Sequence, residues 1–192
     1  MQGYIINGVR SKSAKSKIAL YQPLTLLDMV VYHREHANLN RIKEIKCLQP
    51  FQSLLMDMKK SAIAMFINEV INKTVREESH AQEVFEFLLQ SISILDKMQH
   101  GYENFHLVFL LKLSRFLGFG AHQVNEVLGG RMADAEIEAL LNILISAAYE
   151  DSIEISNVQR RTLLELILKF YADHIETLGE VRSVQVLKEI MN

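Results

Sequence analysis

Apolar and polar positions follow two different periods along the chain. Up to about residue 50, apolar residues come in short runs closed by turn residues; from Asp57 onward they recur at intervals of three and four. Tyr4-Ile5-Ile6 is a short apolar run ended by Asn7-Gly8, a strong turn pair, and reads as a strand. Ile18 to Tyr32 is a second run, β-branched near its end at Val30-Val31. Gln22-Pro23 in its middle argues for an edge position or a bulge, because proline donates nothing to a central ladder. The polar stretch "HREHANLN" then makes a loop, and Arg41 to Leu48 returns as a strand with mixed faces. Three strands are too few to close a barrel, which takes about five, so the sheet is expected to be incomplete.

The helical part is more regular. Ala62, Phe66 and Val70, with Ile63, Ile67 and Ile71 beside them, form one apolar stripe on a helix running to about Glu78. Val84, Leu88 and Ile92, with Phe87, Ser91 and Leu95, predict a second helix. Tyr102 to Gly118 is apolar nearly all round, the mark of a helix buried inside a bundle, and Gly118 and Gly120 end it. "AHQVNEVLGGRM" reads as a short helical turn or loop. Met132–Tyr149 and Asn157–Leu178 are two further helices, the second capped by Ser156, and Ser183–Met191 is a short final one.

Composition narrows the function classes. The chain has 192 residues, 49% of them hydrophobic, which is enough to bury a real core. The one cysteine, Cys47, excludes an internal disulfide and a multi-thiolate metal site, and reads as a buried structural thiol. No signal peptide is read at the N-terminus. The most apolar stretch, Phe105–Leu113, contains His106 and Lys112 and is far shorter than the roughly 20 residues of a membrane span. A soluble, cytoplasmic protein with no membrane partner is expected. The net charge of −2 hides an asymmetry: residues 1–60 carry +6 and residues 61–192 carry −8. The basic part is the natural one for a polyanion.

Four cations, Arg10, Lys12, Lys15 and Lys17, stand within eight residues with no acid between them. Such a segment suits phosphates, and it equally suits a solvated hairpin loop that keeps a sheet edge soluble. His33, Glu35 and His36 resemble a zinc-binding triplet only loosely: the histidine spacing is three, the setting is a loop, and a fortuitous surface cluster is the better reading. No phosphate-binding glycine loop, nucleophile elbow or paired-carboxylate signature is present, so no active site is legible. Lys112 and Arg115 interrupt the buried helix on one face, with Phe116 four residues after the first and Phe119 four after the second. The patch could take an acidic segment ending in an aromatic residue; the plainer reading is two cations snorkelling at a helix C-terminus. Tyr171 and His174 share a helix face, where a packed, hydrogen-bonded histidine is the expectation.

Taken together, "GYIINGVRSKSAKSKIALYQPLTLLDMVVYH", "RIKEIKCLQPF", "KKSAIAMFINEVINKTVREE", "ENFHLVFLLKLSRFLGFG" and "YADHIETLGEVRSVQVLKEIM" resemble the bacterial RecO family over nearly the whole chain. The resemblance implies an α+β protein: a partial oligonucleotide-binding-like β-sheet domain over residues 1–52, then a larger all-α helical domain over 53–192. It implies a non-enzymatic DNA-repair mediator without cofactor. Such a protein binds and anneals single- and double-stranded DNA, and with RecR helps load the RecA recombinase onto strands coated by single-stranded-DNA-binding protein. It also implies binding of that coating protein's acidic, phenylalanine-ended tail. On this basis Arg10, Lys12, Lys15 and Lys17 become the DNA contact, and Lys112, Arg115, Phe116 and Phe119 the tail pocket. Two departures stand out. Many members carry a four-cysteine zinc motif after "LGF", where this chain has "GFGAHQVNEVLGGRM", so no metal is carried over. The chain also begins at what looks like the third barrel strand, as a start assigned too late or a shortened chain would give. The alternative function is a helical protein–protein adaptor that does not bind DNA.

Overall fold

The computed structural model describes residues 3–5, 19–33, 39–75 and 81–191, and the chain divides into two units, Met1–Gln52 and Ser53–Asn192. In the first unit, β1 (Gly3–Ile5), β2 (Leu26–Tyr32) and β3 (Leu39–Gln49) form a three-stranded sheet in the order β1-β3-β2. β1 runs parallel to β3, and β2 antiparallel to it. Pro23 lies outside the ladder: a 3-10 turn at Ala19–Tyr21 and a turn through Leu24, whose φ is 63°, split the long apolar run before β2 begins. β2 then takes an edge of the described sheet.

The mixed faces of β3 have a physical cause. Val31 pairs with Ile42 and Val30 with Glu44, leaving Lys43 as an extra residue on β3. Such a bulge moves the following residues to the other face. Ile42 and Ile45, an odd number of positions apart, thereby share the covered face with Asn40, Cys47, Val31 and Leu27. The opposite, exposed face carries Arg41, Glu44 and Lys46, opposite Tyr32, Val30 and Asp28. Asp28 and Lys46 close an ion pair at 3.0 Å.

The second unit is helical: α1 (Met58–Thr74), α2 (Ala81–Lys97), α3 (Phe105–Phe116), α4 (Val124–Leu128), α5 (Ala135–Ser146), α6 (Asn157–His174) and α7 (Ser183–Ile190). α3 is the hub. Phe105 through Leu111, with Leu113 and Ser114, are buried, and α1, α2, α5 and α6 pack around them. Each such Leu or Phe contributes about 1.5–3 kcal/mol by leaving water. The Tyr171 hydroxyl of α6 donates to the Leu110 carbonyl at 2.6 Å, and His174 meets the Phe170 carbonyl through Nδ1 at 2.8 Å.

Polar groups join the helices at their ends. Asp57 caps α1, accepting from the Lys59 and Lys60 amides at 2.8 and 3.0 Å and from the Tyr102 hydroxyl at 2.7 Å. Lys60 is buried, and its ammonium donates to Ser53 Oγ at 2.6 Å, to the Asp96 carbonyl at 3.0 Å and to the Met98 carbonyl. It thus satisfies carbonyls that the end of α2 leaves free. Glu69 of α1 accepts from the Arg182 and Ser183 amides at 2.9 and 2.8 Å, supplying from afar the cap that α7 lacks locally. The segment after α3 is closed by Arg131, whose Nη2 donates to both carboxylate oxygens of Asp173 at 2.7 and 2.6 Å. Among the described residues, no group of three or more His, Cys, Asp or Glu could hold a metal, and no helix is long and apolar enough to cross a membrane.

His106 is 1% exposed, and its Nδ1 has no hydrogen-bond partner among the described residues. Burial first, and then the Arg160 charge, push its pKa down to about 3. A depressed histidine pKa destabilises the fold as pH falls below about 6.5, because the unfolded chain takes a proton that the native one refuses. Between pH 6.5 and 5.0 the wild type should lose about 1.5 kcal/mol more than His106→Leu in denaturant unfolding. Equal losses would remove His106 as the cause.

Candidate tail-binding cavity

The C-terminal end of α3 is where its apolar girdle stops. Lys112 and Arg115, three residues apart, emerge on the same side, and Phe116 follows at the surface with 40% exposure. They line a cavity of about 820 Å³ together with Phe87 and Ser91 of α2 and with Tyr149 and Glu150, which follow α5. That volume lies within the usual range for a small-ligand or peptide side-chain site.

The walls are fixed by contacts among themselves. Phe87 stacks between Phe116, at 4.5 Å between ring centroids, and Phe109, at 5.5 Å. Tyr149 stacks on Phe105 at 4.3 Å, and its hydroxyl lies 2.8 Å from Ser91 Oγ. Burial pushes the Tyr149 phenol far above its ordinary pKa, against the Ser91 hydrogen bond, so it stays neutral. The Lys112 ammonium lies 5.5 Å from the Tyr149 ring centroid, a cation–π distance. Burial, and then the Arg115 charge, hold Lys112 below the ordinary lysine value, while Asp151 and Glu150 act the other way. A bound carboxylate would relieve that repulsion. Arg115 is anchored by Nη2 donating to the Ile145 carbonyl at 2.6 Å. A cation pair of restricted freedom beside an aromatic wall is suited to an anionic group carried next to an apolar one.

Of the residues marked from the sequence, Lys112, Arg115 and Phe116 come together here. Phe119 does not join them. Gly118, with φ of 86°, stops the helix, so the four-residue spacing from Arg115 no longer implies a common face. The Phe119 ring instead stacks on His174 at 4.8 Å and meets Tyr171 edge-on at 5.1 Å. Phe87, Ser91 and Tyr149 were not marked. Phe87 sits in a core-like row, and Tyr149 enters only through the turn after α5. Arg10, Lys12, Lys15, Lys17, Glu35 and His36 lie outside the described residues; His33 is exposed and Cys47 half-buried. A second, polar hollow of about 610 Å³ lies around Arg160. Its guanidinium is already committed to Asn104 Oδ1 at 2.9 Å, Asn157 Oδ1 at 2.6 Å and the Ile155 carbonyl at 2.9 Å.

Gly120 holds the end of α3 in place. A Cβ there would collide with Arg115 Cγ and come within 2.6 Å of its Cα and 2.9 Å of its Cβ. Gly120→Ala should therefore cost about 1–3 kcal/mol of stability, as overpacking does, read by denaturant unfolding. A loss below about 0.5 kcal/mol, the level of a neutral surface change, would show that the contact yields freely.

Comparison with known proteins finds similarity in each unit. Residues 1–51 match the family described as recombination protein O, N terminal, and residues 55–138 match recombination protein O, C terminal. The chain is 32% identical over 210 residues to the DNA repair protein RecO of Bacteroides fragilis, covering 98% of this chain and 86% of that protein. The RecO proteins of Phocaeicola vulgatus and Flavobacterium johnsoniae are 31% and 30% identical, with the same coverage. The small sheet, the helical unit around α3 and these similarities along both lead to one conclusion: the chain belongs to the RecO family of DNA repair proteins.

Proposed function

We propose that the chain acts as a recombination mediator, without catalytic turnover. In this reading it binds single- and double-stranded DNA through its basic N-terminal part, with Arg10, Lys12, Lys15 and Lys17 as phosphate contacts, and anneals complementary strands. With RecR it helps load RecA onto strands coated by single-stranded-DNA-binding protein. The coating protein's acidic, phenylalanine-ended tail enters the cavity at the end of α3. The observation that carries the proposal is the convergence of Lys112 and Arg115 on a cavity walled by Phe87, Phe116 and Tyr149. The tail's terminal ring would lie on the aromatic wall, and its carboxylate would meet Lys112 and the part of the Arg115 guanidinium not held by Ile145. Phe119 is left out of this contact set.

The test is calorimetric titration of a short acidic peptide ending in phenylalanine, with a free and with an amidated C-terminus. The free peptide should bind and the amidated one more weakly. Lys112→Ala and Arg115→Ala should each lower affinity tenfold or more, the scale of a lost charge-assisted hydrogen bond at about 1.5–3 kcal/mol. Phe119→Leu should leave the affinity unchanged. Equal binding by the wild type and both cation variants would exclude the cavity as the tail site.

A further inference from the structure

Between α5 and α6 the chain runs as a strap, residues 147–156, that is neither helix nor strand. The strap carries Tyr149 and Glu150 into the wall of the cavity at the end of α3. Its first part is a turn closed by the Ala148 amide, which donates to Asp151 Oδ2 at 2.8 Å. Its second part is held by two side chains. Asn104, in the turn before α3, donates through Nδ2 to the Ile153 carbonyl at 2.8 Å. Arg160 of α6 donates through Nη2 to the Ile155 carbonyl at 2.9 Å. The two side chains also hold each other, Arg160 Nε donating to Asn104 Oδ1 at 2.9 Å. Neither lines the cavity; both line the polar hollow, together with residues 152–156 of the strap.

We propose that Asn104 and Arg160 form a latch on this strap and are positioning residues for peptide binding, acting through Tyr149 and not by touching the peptide. The inference rests on the tail-binding reading above and adds to it the groups that keep the cavity formed. A strap without helix or strand hydrogen bonds takes its conformation from the side chains that satisfy its backbone. Stacking on Phe105 and the contact with Ser91 fix the Tyr149 ring only while the backbone behind it stays within reach. Asn104 holds the Ile153 carbonyl and Arg160 at once, so its loss releases both. Strap conformations in which Tyr149 leaves the wall then gain population. The apparent dissociation constant rises by the inverse of the fraction that stays competent. Tyr149 is the part of the wall at stake: Phe87 stands on α2, and Lys112, Arg115 and Phe116 stand on α3.

A double-mutant cycle tests this, with the acidic phenylalanine-ended peptide titrated calorimetrically into the full chain. Wild type, Asn104→Ala, Tyr149→Leu and the double variant are compared under conditions where denaturant unfolding shows each to be folded. Asn104→Ala should weaken binding by about two- to tenfold, the scale of one net hydrogen bond. Tyr149→Leu should weaken it at least as much. In the double variant Asn104→Ala should add nothing further, because its effect passes through the ring that Tyr149→Leu has removed. Where Asn104→Ala does not fold, Arg160→Gln, which keeps the bond from Asn104 to Ile153, takes its place in the cycle with the same pattern expected. Unchanged affinity in the latch variant, or an equal loss with and without the Tyr149 ring, would overturn the inference and leave the tail-binding reading standing. A folded wild type that does not bind the peptide would overturn both.

Discussion

Everything in the helical unit follows from one constraint: α3 has no polar face to give to water over most of its length. Seven consecutive residues from Phe105 are buried, so the chain must enclose this helix on all sides. α1, α2, α5 and α6 do so. The enclosure ends where Lys112 and Arg115 interrupt the apolar run, because a cation needs an outlet and a helix C-terminus favours one. The candidate cavity is the space left at that outlet. Its cations stand beside aromatic rings because both belong to the same helix and its nearest neighbours.

Several buried polar groups of this bundle have structural partners, whereas His106 Nδ1 has none among the described residues. Lys60 satisfies carbonyls at the end of α2, Asp57 caps α1, and Glu69 caps α7 from a distance. Glu69 does so with its pKa held down to about 2: burial opposes that, and the Ser183 and Arg182 hydrogen bonds outweigh it. In the sheet the logic is reversed. Among the described residues one face is half-buried, and the bulge at Lys43 gathers Ile42 and Ile45 onto it, which leaves Tyr32, Arg41 and their neighbours outward.

Much of this was legible in the sequence, for reasons that also explain what was not. The helices were readable because their apolar residues recur at three and four, and Ser156 is a cap with an oxygen acceptor, found at 3.3 Å from the Gln159 amide. Helix ends were less readable: α5 starts after the Asp134 cap rather than at Met132, and α6 stops at His174, where Ile175 turns extended. The spacing that linked Arg115 to Phe119 held only while the helix continued, and Gly118 ended it. Lys60 reads like its surface neighbour Lys59. Its burial is decided by acceptors at Asp96 and Met98, which no local pattern reveals. The faces of β3 were obscured by the bulge, since alternation alone puts Ile42 and Ile45 on opposite sides. The family, by contrast, was carried by the order of several stretches along the whole chain and did not depend on any of these details.

A rigid, enclosed α3 presents a ready-made cavity at its end. Native-state hydrogen exchange, with and without the acidic phenylalanine-ended peptide, tests it most directly. If the claim holds, the α3 amides exchange only through global unfolding, the slowest class in the helical unit. Bound peptide would then slow them only as far as it raises global stability, while adding local protection around Ser91 and Tyr149. Local opening of α3 that exceeds global unfolding, and that the peptide suppresses, would contradict it and show that the cavity forms only on binding.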